Sequence, residues 1–197
     1  MAEVMRAAPT ELRFVAVGQD DPLAEPLLAE LAVEYASRYG ATEEAVAKWL
    51  RGYPADELAP PGGGLLIGLY PHGRPITGGA FRRFDDSTAE LKRVWTDSRY
   101  RRQGHAKTLL NELEAEIVAR GYRRVYLTTG DRQPEAEALY LSSGYTRLAE
   151  PLPAEGEVYP LAFQKTLACP IISTSRSRST AMVGTRRRGG THPTSSP

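Results

Sequence analysis

Apolar residues recur at every fourth position from Leu23 through Leu27 and Leu31 to Tyr35, with Leu28 and Ala32 beside them, the spacing of one buried helix face. Asp20, Asp21 and Pro22 supply the start, an acceptor side chain ahead of a proline at an early helical position, and Gly40 supplies the end. Thr42 with Glu43 and Glu44 opens a second helix carrying Val46, Trp49 and Leu50, which Pro54 and the Pro/Gly run at 60–64 bring to a stop. Elsewhere the pattern is strand-like. Residues 12–17 predict a first strand, 65–70 and 75–84 two antiparallel strands joined by a turn at 71–73, and 89–96 a third member of the same meander. Ala106, Leu109, Leu110, Leu113 and Ile117 then form a second helical stripe that Gly121 closes. A strand at 124–129, a helix at 134–143 closed by Gly144, and two far-edge strands at 145–149 and 159–167 complete the order.

At 197 residues, the chain has room for one domain of ordinary size without disulfides or metals. A single cysteine, Cys169, makes no internal disulfide, and one cysteine with three histidines shows no metal-type spacing, so no metal is expected. No leader-like or membrane-spanning apolar run is visible, and the expected location is cytoplasmic, with no membrane partner. The formal net charge of +1 divides unevenly. Residues 168–197 hold five arginines (176, 178, 186, 187 and 188) and no acids, whereas residues 1–167 hold 20 basic and 24 acidic side chains, a net of −4. The expected division is a folded domain over 1–167 and a disordered basic Ser/Thr/Arg-rich tail over 168–197. The arginines could tether nucleic acid, but no aromatic residues interleave them to stack on bases, so a nucleic-acid partner is not expected.

The densest chemistry lies in residues 90–106, ELKRVWTDSRYRRQGHA, where a strand runs through a short basic turn straight into a helix. A helix start leaves its first N–H groups without intrahelical partners and carries partial positive charge, so this junction suits a pyrophosphate. The turn RRQGHA (101–106) fits the Q/R-x-x-G-x-G/A signature, and QPEAEALYLSSGY (133–145) matches a late N-x-x-A-x-x-L-Y-x-x-x-G-F/Y element at Ala136, Leu139, Tyr140, Gly144 and Tyr145, with Gln133 where Asn is usual. In these two ordered motifs the chain resembles the GNAT superfamily of acetyl-CoA-dependent N-acetyltransferases.

The resemblance implies an α/β mixed sheet of about seven mostly antiparallel strands with four helices, the strands on either side of the phosphate helix splaying apart. It implies acetyl-CoA as co-substrate. Main-chain groups of Val94 and Thr96 would pair with the pantetheine arm, Arg101, Arg102, Gln103, Gly104, His105 and Ala106 would hold the pyrophosphate, and Gln133 would contact the cofactor. Glu90 would be the general base and Tyr140 the acid that protonates the leaving thiolate. Alternation places Glu90, Lys92, Val94 and Thr96 on one strand face. Glu90 also reads as a solvated residue or a partner for Lys92 or Arg93, and Tyr140 as a core tyrosine. The expected reaction is direct transfer of acetyl to a primary amine of a small molecule or peptide, and the acidic body favours cationic acceptors. A CoA-binding sensor or scaffold without turnover, and a nucleic-acid or surface binder acting through the tail, are the alternatives. The expected assembly is a monomer or a homodimer.

Overall fold

The structure, a computed structural model, describes residues 12–153 and 158–168. The tail beyond 168, with Cys169, and part of the 150–157 loop lie outside the described residues.

Asp21 caps a short 3-10 turn, Pro22–Ala24, through a 2.8 Å bond from the Leu23 N–H, and the turn runs on into α1, Glu25–Tyr39. Gly40, at φ 75°, ends α1, and the Thr42 hydroxyl accepts the Ala45 N–H to open α2, Glu43–Arg51. The strands are β1 (Arg13–Ala16), β2 (Gly64–Tyr70), β3 (Arg74–Arg83), β4 (Thr88–Thr96), β5 (Arg124–Thr129), β6 (Thr146–Arg147) and β7 (Leu161–Thr166). Helices α3 (His105–Ala119) and α4 (Pro134–Ser142) flank β5 in sequence. The predicted elements all form, with ends shifted by a few residues; the strand expected at 145–149 shrinks to a two-residue edge.

One seven-stranded sheet has the order β1-β2-β3-β4-β5-β7-β6, and every adjacent pair is antiparallel except β4 with β5. Two apolar clusters cover its faces. Leu27, Leu28, Leu31 and Leu50 from α1 and α2 pack on Ile67 and Trp95, and Leu109, Leu113 and Ile117 from α3 pack on Phe81, Leu91 and Val125. The two glycines of β3 show how closely both layers press. A Cβ on Gly78 would lie 2.9 Å from Leu27 Cδ1 of α1, and one on Gly79 would lie 2.9 Å from Leu113 Cδ1 of α3.

Two departures from regular pairing position the site. First, β4 and β5 pair only over Thr88–Glu90 against Arg124–Tyr126, and beyond that point the strands part. Second, the register between β3 and β4 jumps from Gly78↔Trp95 to Ala80↔Lys92, so Arg93 and Val94 together oppose Gly79, and Arg93 takes φ 57°. This is a β-bulge, and it corrects the expected alternation along β4. Glu90 and Lys92 face the α1/α2 layer. After the bulge Arg93 and Trp95 face that layer too, while Val94 packs with the α3 cluster and Thr96 hydrogen-bonds Thr77 beside it.

Candidate active site

The gap between β4 and β5 opens into a cleft of about 770 Å³, within the range of small-molecule sites. The β4-to-α3 turn lies at one end. Gly104, at φ 89°, adopts a left-handed conformation that L side chains rarely take, and a Cβ there would meet nothing within 4 Å. The conformation turns the chain into α3. Lys107 and Thr108 N–H groups bond back to Gly104 C=O, whereas the amides of residues 102–106 have no acceptor on the protein among the described residues. Five successive amides at the helix start thus lack protein acceptors, and Arg102, Gly104, His105 and Ala106 among them line the cleft.

Side chains around the turn divide into those already engaged and those left over. Arg101 does not face the turn's amides: its Nε donates to Thr96 O at 3.0 Å and its guanidinium pairs with Glu34 of α1 at 2.7 Å. Arg102 has no anionic partner among the described residues, and Lys107 reaches only Ser142 O at 3.3 Å. Gln103 is exposed on the turn, and Ala106 lines the cleft. His105 lies tilted against Tyr100 with ring centroids 6.5 Å apart, burial lowers its pKa below the ordinary histidine value, and its buried Nε2 has no partner. Orphaned amides and two cations without carboxylates fit an oligophosphate ligand.

Val94 and Thr96 line the cleft wall where β4 has left β5. Gln133, just ahead of α4, accepts a 3.0 Å bond from Thr129 Oγ1, which leaves its amide N–H₂ toward the cleft. Tyr140 is 7% exposed, with its ring on Tyr145 and Phe163. Its hydroxyl has no partner among the described residues and reaches the cleft, and burial pushes the phenol above the usual tyrosine value. It is both the core tyrosine and a free donor at the site.

Glu90 is elsewhere. Only 3% exposed, its carboxylate accepts Arg82 Nε on one oxygen and Lys92 Nζ on the other, each at 2.7 Å, and it is not part of the cleft wall. Arg82 also binds Glu57 at 2.6 Å, and Glu57 accepts the Tyr53 hydroxyl at 2.7 Å. Of the predicted site residues, Val94, Thr96, Arg101, Arg102, Gly104, His105, Ala106, Gln133 and Tyr140 thus line one cleft, while Gln103 lies outside its wall and Glu90 stands behind it in a closed ionic network. Sequence reasoning missed most of the opposite wall, which Tyr35, Trp49, Tyr53, Arg93 and Tyr159 line, with the Arg93 guanidinium 5.2 Å over the Tyr53 ring. Three of these aromatics come from α1, α2 and the segment after α2.

The family profile described as "Acetyltransferase (GNAT) family" matches residues 27–145. The chain belongs to the GNAT acetyltransferase family. Solved structures agree on the fold: a GNAT-family acetyltransferase from Staphylococcus aureus Mu50 superposes with TM-score 0.66 at 16% identity, covering 80% of this chain and 100% of that one. The PaiA N-acetyltransferase from Thermoplasma acidophilum in complex with coenzyme A gives 0.61 at 17% identity over 80% and 99% of the two chains. A GNAT-family acetyltransferase from Elizabethkingia anophelis with acetyl-CoA bound gives 0.55 at 16% over 79% and 98%. No protein of curated function matched the sequence. No helix among the described residues is long and apolar enough to cross a membrane.

Proposed function

We propose that the protein transfers the acetyl group of acetyl-CoA to a primary amine by direct attack. The observation that carries this reading is the run of unpartnered amides at residues 102–106, opening onto the same cleft as the free Tyr140 hydroxyl. The amides with Arg102 and Lys107 take the pyrophosphate, each charge-assisted bond contributing about 1.5–3 kcal/mol. Val94 and Thr96 offer main-chain groups to the pantetheine arm, and the Gln133 amide contacts the cofactor from the opposite side. Arg101 serves the site indirectly, by tying the turn to α1 through Glu34.

In the transfer, the amine nitrogen bonds to the acetyl carbon, the carbon–sulfur bond breaks, and the leaving thiolate takes the Tyr140 proton. Solvent at the open mouth of the cleft restores that proton to Tyr140 and accepts the one lost by the ammonium group. An alkylamine of pKa about 10.4 carries an offset of roughly 4.6 kcal/mol at pH 7, which a base would reduce. Both oxygens of Glu90 are already engaged by cations, so in this reading Glu90 positions Lys92 and Arg82 and water takes the proton.

The test is calorimetric titration of acetyl-CoA into the full chain and into Gly104→Pro, which removes one donor and cannot adopt φ 89°, followed by thiol release with a panel of amines. Micromolar binding lost in the variant, with thiol release by the intact chain, is the expected result. Binding without thiol release would leave the non-catalytic sensor; no binding by folded protein would remove the reading altogether.

A further inference from the structure

Most cationic side chains at this cleft have an account. Arg82 and Lys92 are neutralised by Glu57 and Glu90, Arg101 by Glu34, and Arg102 and Lys107 lie at the phosphate turn. Arg93 has none. The bulge turns it onto the α1/α2 face of β4, three residues and about 10 Å of strand before β4 ends. There Nη1 donates to Gln19 Oε1 at 2.7 Å and Nη2 to Leu50 O near the end of α2, while the guanidinium lies 5.2 Å above the Tyr53 ring. These partners are neutral. The end of the α2 dipole offers partial negative charge, but no carboxylate reaches Arg93 among the described residues, and two of its five donors are used. Burial lowers its ordinary value, which marks the cost of keeping this cation away from water.

A half-buried guanidinium with unused donors, set in a cavity wall, is a receptor for a planar oxyanion. The cofactor phosphates do not answer to it, because their amides and cations lie past the end of β4, about 10 Å of strand or more from Arg93, whose guanidinium is turned to the α1/α2 layer. What reaches Arg93 is the molecule that enters between the aromatic side chains of α1 and α2. We propose that the acceptor amine also carries a carboxylate, and that Arg93 binds this carboxylate while the amine approaches the acetyl group. The inference rests on acetyl transfer at this cleft. It reverses the expectation drawn from the acidic body, because overall charge steers encounter whereas the cleft wall decides what is held.

The experiment compares carboxylates with their carboxamides. Proteinogenic α-amino acids, β-alanine and 4-aminobutyrate are each assayed against the matching amide, following thiol release by the full chain and by Arg93→Met. Arg93→Lys is the second variant, retaining charge without the fork. The expected result is a preference in kcat/KM of about 10- to 100-fold for the best carboxylate over its amide, carried mainly by KM. In Arg93→Met the preference falls to near one, any loss from the missing Gln19 and Leu50 bonds falling equally on acid and amide; Arg93→Lys keeps part of the preference. A purely structural Arg93 would lower both rates together. A ratio near one in the wild type, or a preference that survives in Arg93→Met, overturns the proposal. If acetyl-CoA binds but no amine is acetylated, the catalytic reading fails by itself, and calorimetry of N-acetylated amino acids against their amides on the CoA-saturated protein decides the Arg93 question without turnover.

Discussion

Burial of the Tyr140 ring raises its phenol above the ordinary value of about 10, and the sign of that shift has a kinetic consequence. A raised value keeps the hydroxyl protonated through neutral and mildly alkaline pH, so its capacity to protonate a thiolate is not lost as pH climbs toward 10. Tyr140→Phe is therefore expected to lower kcat by about 10²-fold with acetyl-CoA affinity nearly unchanged, and the ratio of wild-type to variant kcat should stay flat from pH 7 to 10. Unchanged kcat would take Tyr140 out of the mechanism. Glu90 separates two roles in the same way. As the partner of two cations behind the cleft, its replacement by Gln leaves Arg82 and Lys92 without full compensation, which predicts a loss of about 3 kcal/mol in denaturant-derived stability. Activity of the folded variant should drop only modestly. A fall of 10² or more in kcat, with stability intact and the acidic limb of the pH profile gone, would restore Glu90 as the base.

Elements were legible in the chain wherever a repeating pattern encodes them. The four-residue spacing in α1, the Asp21 and Thr42 caps and the glycines at 40, 104 and 121 all describe local events, and local events depend on neighbours in sequence. The β4 bulge was not legible, because Arg93 takes a positive φ that no glycine or asparagine announces; tight packing of Gly79 against Leu113 and the Val94 main chain accompanies it. That single residue moved Val94 and Thr96 to the other face. It also hid the Arg93 site, since unbroken alternation would aim Arg93 into the α3 core. The pairing of Glu90 with Arg82 was equally hidden, being a cross-strand contact fixed by register. The turn at 101–106 was readable as an anion site, yet the diversion of Arg101 to Glu34 depends on where α1 docks. Packing gives this scale its own prediction. In Gly79→Val, the added atoms meet Leu113 on α3 opposite the bulge, with an expected cost of about 1–3 kcal/mol. Because α3 carries the amides, acetyl-CoA affinity should fall along with the melting temperature; a variant as stable as wild type would refute the close approach.

Across the whole molecule, the sheet is continuous from β1 to β6 but held together at its centre by only the Thr88–Glu90 and Arg124–Tyr126 pairing. On one side of that seam lies the β1–β4 meander with α1 and α2, and on the other β5, β7 and β6 with α4. Arg38 of α1, paired with Glu135 and exchanging bonds with Arg132, bridges the two sides over the gap. Exposed or half-exposed pairs of this kind contribute little each, so beyond the α3 core that spans both strands the open part of the seam has few ties. A ligand that places hydrogen-bonding groups along β4 and anchors on the α3 amides would join what the backbone leaves apart. Acetyl-CoA at about one hundred times its dissociation constant should add roughly 2.7 kcal/mol of stability, a rise of about 5–10 °C in melting temperature for a chain of this size. Its location distinguishes this from general tightening. Hydrogen exchange governed by local opening should slow in β4 after Glu90, in β5 after Tyr126 and across residues 102–106, while the β1–β2–β3 pairing, complete without the ligand, slows by no more than the rise in global stability. Protection spread evenly over the sheet would show that the seam is not where the ligand acts.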